Sequence, residues 1–99
     1  MMITSQRYID QDTVDAKIND SDYVVMLATI ADSDGNEYDL VVDGHHSYAA
    51  AIQSGNAPVY EYSDYNYQAE VDCLGFDDFM ASKWIDSEYY DIETGVNVW

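Results

Sequence analysis

The chain has 99 residues, of which 20 are aspartate or glutamate and 3 are lysine or arginine, for a formal net charge of −17. A chain of this length makes one domain with one hydrophobic core, and no stretch approaches the ~20 apolar residues of a membrane span. The negative field repels phosphates and anionic head groups, which excludes direct binding to nucleic acid or to a membrane surface.

Disordered acidic chains lack aromatic residues, whereas this one is 47% hydrophobic with ten tyrosines, two tryptophans and two phenylalanines, so it folds. The acidic residues divide evenly, ten up to Asp43 and ten after it, and no lysine or arginine stands between Lys17 and Lys83. Charge is thus a property of the whole of residues 1–99, read as a single acidic α+β domain. It lies far beyond the magnitude of about 2–8 that keeps a small domain soluble. The lone Cys73 excludes an internal disulfide, and the opening MMITSQRYID lacks the basic flank and apolar run of a signal peptide, so a cytoplasmic location is expected.

In chain order, residues 10–20 predict a short helix with Asp10 or Asp12 as cap and Val14 and Ile18 on one face. The apolar run 23–30 and the segment 38–42 read as two strands joined by a tight turn at Asp34-Gly35. The carboxylate-rich turn is not an EF-hand, because with Gly35 sixth, Ile30 would stand first and Val41 twelfth, and neither side chain ligates calcium. Asp43 is the expected N-cap of a helix over His45–Ser54, with Tyr48, Ala51 and Ile52 inward and Gly55 as its stop. Residues 58–62 alternate as a strand, and 67–71 read as another. Phe76, Phe79, Met80 and Trp84 recur at helical spacing behind Gly75, and residues 89–92 and 96–99 flank Thr94-Gly95 as a terminal hairpin. The expected fold is a small α+β domain, mainly antiparallel sheet packed by two or three helices.

Asp43-Gly44 delivers the chain from a strand to a helix N-terminus, where free backbone N–H groups can receive an anion. The stretch YDLVVDGHHSYAAAIQSG, followed by APVYEY, resembles the signature turn of the ParB/sulfiredoxin-like superfamily over about residues 38–62. That resemblance implies a nucleotide-binding turn for CTP or ATP at Asp43, Gly44, His45, His46 and Ser47. Ser47 stands where the family carries a phosphate-gripping arginine, and Asp43, Asp39 and Glu37 crowd the turn with no cation near them in sequence. The expectation is a retained fold with a lapsed nucleotide site. Adjacent helical positions point about 100° apart, so His45 and His46 cannot both face one ion unaided, and neither a metal nor a cofactor is expected.

Tyr23, Tyr38, Tyr60 and Tyr62 fall in expected strands and read as packed across the sheet. Tyr65, Tyr67, Tyr89 and Tyr90 are less clearly internal, which makes them candidates for a mixed tyrosine and aspartate interface. In size and charge the chain also resembles small phage DNA mimics, including anti-restriction and anti-CRISPR inhibitors. That resemblance implies a non-enzymatic inhibitor of phage or mobile-element origin. It would block the groove of a basic nucleic-acid-binding protein of a bacterial defence system. Asp10, Asp12, Asp15, Asp20 and Asp22 form one candidate stripe, and Asp77, Asp78, Asp86, Glu88, Asp91 and Glu93 a second. An acidic adaptor of a basic host protein would use the same surface.

Overall fold

The computed structural model describes residues 1–6, 8–83 and 88–99, and within them the elements run β1 (Met2–Thr4), α1 (Gln11–Asn19), β2 (Val24–Ala31), β3 (Glu37–Asp43), α2 (His45–Ser54), β4 (Val59–Tyr62), α3 (Tyr67–Leu74), α4 (Phe76–Ser82) and β5 (Tyr90–Asp91). The class is α+β, with four helices among the described residues. Asp10 caps α1 as expected, its carboxylate accepting from Asp12 N–H at 3.3 Å and Thr13 Oγ1 at 2.7 Å. The β2–β3 hairpin closes where Asp32 accepts from the N–H groups of Asp34 and Asn36, and Gly35 takes the left-handed conformation the turn demands.

The five strands lie in the order β4-β2-β3-β1-β5. Two pairings are antiparallel, β2 with β3 and β1 with β5, and two are parallel, β1 with β3 and β2 with β4. The sheet is therefore mixed, partly parallel beside its longest, antiparallel pairing. The direction of β4 follows from where the chain leaves and re-enters the sheet. Gly44 packs against Val24 at the start of β2, and after α2 the chain returns to the same end, where Asn56 Nδ2 donates to the Tyr23 hydroxyl and Val59 N–H to Tyr23 O. A strand starting there beside β2 must run parallel to it.

Three further expectations are corrected. Residues 67–71 open α3 instead of forming a strand, because Asn66 caps the segment by accepting from Ala69 N–H at 3.1 Å and Val71 turns into the core. Asp43 ends β3 and accepts from Gly44 N–H at 2.8 Å, so Gly44, at φ 92°, takes the cap position of α2 with no capping side chain. Ile52 faces outward at 57% exposure, since the buried arc of α2 is set by Ser47, Ala50 and Ala51 and the next residue lies 100° beyond it. Trp84, expected on α4, falls outside the described residues. The terminal hairpin forms, with Tyr90 bridged to Asn97.

The core lies on both sides of the sheet. On one, Ile3, Ile30 and Leu40 meet Val71, Phe79, Met80 and Tyr89 beneath α3 and α4. On the other, Val25, Leu27 and Val41 pack with Met2, Tyr48 and Ile92 beneath α2. No helix among the described residues is long and apolar enough to cross a membrane.

Candidate functional site

The first expected stripe is only partly available. Asp10 is occupied as the cap of α1. Asp22 is bound by Lys17 at 3.0 Å and also accepts from Val24 N–H, and these contacts, led by the Lys17 hydrogen bond, hold its carboxyl below the usual range. Asp12, Asp15 and Asp20 remain exposed along and after α1. The second stripe is divided between α4 and the terminal hairpin. Asp77 and Asp78 lie exposed in the first turn of α4, where the helix dipole favours negative charge, and Asp77 accepts from Trp99 Nε1 at 3.1 Å. Glu88 is exposed, whereas Asp86 lies outside the described residues. Asp91 Oδ1 accepts from the N–H groups of Glu93 and Thr94, which ties it to the terminal turn.

Folding instead joins Asp91 and Glu93 to a face that the sequence analysis missed. Met1, Met2, Asp39, Tyr60, Asp91 and Glu93 line a cleft of about 370 Å³ on the α2 side of the sheet. Asp39 accepts from Thr29 Oγ1 at 2.8 Å and from the Tyr62 hydroxyl at 3.5 Å. Burial, then the charge of Glu93, pushes the Tyr60 phenol above its ordinary value. Burial again comes first for Tyr48, with Tyr60, Glu93 and Asp91 adding to the rise.

The tyrosines thus divide otherwise than expected. Tyr60 and Tyr62 are 43% and 58% exposed, while Tyr89 and Tyr90 are buried. Tyr89 donates to Met80 O at 2.8 Å and Tyr90 to Gln6 O at 2.6 Å. The available signal was the alternation of Glu37 and Asp39 with Tyr38 and Leu40 in β3, which sends the carboxylates to the face opposite Leu40.

The 43–47 turn does border a pocket, of about 330 Å³, whose lining includes Thr4, Thr13, Asp43, Gly44, His46 and Ser47. Lys17 lines it too, a cation brought there from α1 that sequence proximity did not reveal. Its ammonium is already held by Asp22, and Asp43 and Asp20 add to a potential that raises its pKa, with the Asp22 hydrogen bond the largest cause. Two carboxylates, Asp22 and Asp43, therefore outweigh the one ammonium that a phosphate could use. His46 Nε2 accepts from Asp10 N–H at 3.1 Å, and His45 is buried with its ring edge-on to that of His46, 6.0 Å between centroids. Among the described residues no three histidine, cysteine, aspartate or glutamate side chains assemble into a metal-binding group.

Lys83, the other described lysine, pairs with Glu70 at 3.5 Å and lies over the rings of Tyr67 and Phe79. Both described lysines are therefore internally neutralised. No protein-family model matches the chain, and no curated protein matches it.

Proposed function

We propose that this protein is a non-enzymatic inhibitor, of phage or mobile-element origin, that substitutes for DNA. It would act in the bacterial cytoplasm by occupying the basic groove of a nucleic-acid-binding defence effector. The observation that supports this most directly is charge density. The domain is elongated, 40 × 25 × 19 Å between Cα extremes. Its net charge amounts to about one per 2.4 Å of long axis, against about one per 1.7 Å for duplex DNA. A groove that tracks phosphates with lysine and arginine meets a comparable field here, and both described lysines are masked by partners.

The test is capture from a nuclease-treated bacterial lysate on the immobilised protein, with elution by salt and, separately, by duplex DNA. A retained nucleic-acid-binding complex that both agents release supports the proposal. Reversing Asp12, Asp15 and Asp20 to lysine together should reduce its retention far more than any single alanine change. Retention indifferent to salt, DNA and charge reversal refutes it, and an acidic adaptor for a basic host protein becomes the better reading.

The pocket at Gly44 and the arrival of Lys17 in it favour one alternative, nucleotide binding at the 43–47 turn. A ligand that binds only the native state raises its melting temperature. CTP or ATP with magnesium should therefore stabilise the protein if that reading is right, and absence of heat and of stabilisation removes it.

A further inference from the structure

We propose that the outer edge of β4 is a docking strand for an extended segment of the partner carrying arginine or lysine at alternate positions. Its cations would lie over Tyr60 and Tyr62. The proposal rests on the reading above only in taking the partner to be basic.

Among the described residues β4 pairs with β2 alone and stands last in the sheet order. Val59 N–H donates to Tyr23 O at 2.9 Å and Ser63 N–H to Leu27 O at 2.8 Å. Backbone groups alternate in direction along a strand, so the odd-numbered residues face β2. The N–H and C=O groups of Tyr60 and Tyr62 therefore point to the free edge, two donors and two acceptors set for a further strand. Solvent reaches that edge, because all four residues of β4 are exposed.

The chemistry beside the edge selects the occupant. An added strand would lie about 4.8 Å from β4 and turn alternate side chains onto the same face as the Tyr60 and Tyr62 rings. On that face they meet the rings of Tyr60 and Tyr62, and the Tyr62 hydroxyl carries the contact inward to Asp39 of β3 at 3.5 Å. Exposed rings on a body of charge −17 favour guanidinium and ammonium groups. A second copy of this chain is the wrong occupant. It would bring another body of charge −17 and oppose acidic strand to acidic strand, which is how natural edges are protected against self-pairing. Main-chain pairing then supplies affinity and the alternate pockets supply selectivity, the general pattern of strand addition.

The probe is a synthetic six-residue peptide of alternating arginine and valine, blocked at both ends, with two derivatives. One is N-methylated at every arginine and the other at every valine. In a paired strand one set of N–H groups faces β4 and the other faces solvent. The parent should bind, and one derivative should bind at least about tenfold more weakly while the other retains the parent's affinity. Tyr62→Pro removes an outward N–H and leaves the β2 ladder intact, a substitution edge strands tolerate, and should weaken the parent peptide similarly. No binding by the parent, or like behaviour of the two methylated peptides, overturns the proposal. Equal and salt-sensitive binding of all three peptides would sink the edge and leave the DNA-substitute reading standing. A clear methylation contrast, with lysate capture that DNA cannot displace, would do the reverse.

Discussion

Replacing Gly44 with alanine isolates the contact that seats α2 on the sheet. Gly44 sits at φ 92°, and a Cβ there would fall against Val24 O and 2.9 Å from Val25 Cα, both backbone atoms of β2. The left-handed conformation alone disfavours a side chain by roughly 1–2 kcal/mol. Relieving the clash means lifting the β3–α2 turn off a strand pinned on both sides by β3 and β4, which adds about 1–3 kcal/mol. The total, about 2–5 kcal/mol, is a large share of the 5–15 kcal/mol typical of a domain. Gly55 is the internal control, because its φ is 75° but a Cβ there meets nothing within 4 Å, so Gly55→Ala should lose only about 1–2 kcal/mol. Urea unfolding followed by far-ultraviolet circular dichroism reads both, at a slope that should not change. In melting temperature the gap is about 4–8 °C for each kcal/mol. Equal destabilisation of the two variants would refute the steric argument, since they share the strain and differ only in the contact.

Three other outcomes follow from the charges and the buried phenol. Raising salt should raise the melting temperature, because self-repulsion among 20 carboxylates is screened within about 8 Å at physiological ionic strength, and a flat or falling trend in calorimetry would contradict it. Asp22→Asn should destabilise by under about 1 kcal/mol at pH 7, since the Lys17 pair is more than a third exposed. The folded Asp22 carboxyl is depressed, so its contribution is present above the unfolded value near 3.9 and lost as pH falls through the folded one. Paired denaturation curves should therefore converge at strongly acid pH, and a gap that persists there counts against the ion pair. Burial pushes Tyr89 up to about 12, so the protonated form is favoured in the fold and its contribution disappears as pH rises from about 10 to 12. A phenolate titration by absorbance should show one late-ionising tyrosine that is missing from Tyr89→Phe, and an unchanged titration would reject that assignment.

Local chemistry alone was enough for several elements. Asp10 announced α1, the apolar run and Asp34-Gly35 announced the β2–β3 hairpin, and α2 runs over His45–Ser54 to a stop at Gly55, because caps, turns and glycine conformations act within a few residues. Composition likewise settled the sign and extent of the electric field. The three residues of β1 were too short to carry a period, and they become a strand only between β3 and β5. Residues 67–71 have apolar spacing that a short strand and a helix share, and the Asn66 cap with the burial of Val71 decided for α3. The candidate site was less legible still. Strand alternation told that Asp39 and Leu40 face opposite ways, but not which face α2 would cover. Nor could it tell that Asp91 and Glu93 would join Asp39 and Tyr60, or that Lys17 would reach the turn at Gly44. Those are contacts between residues far apart in the chain, chosen by how helices cover a sheet, and a pattern read over neighbouring positions does not contain them.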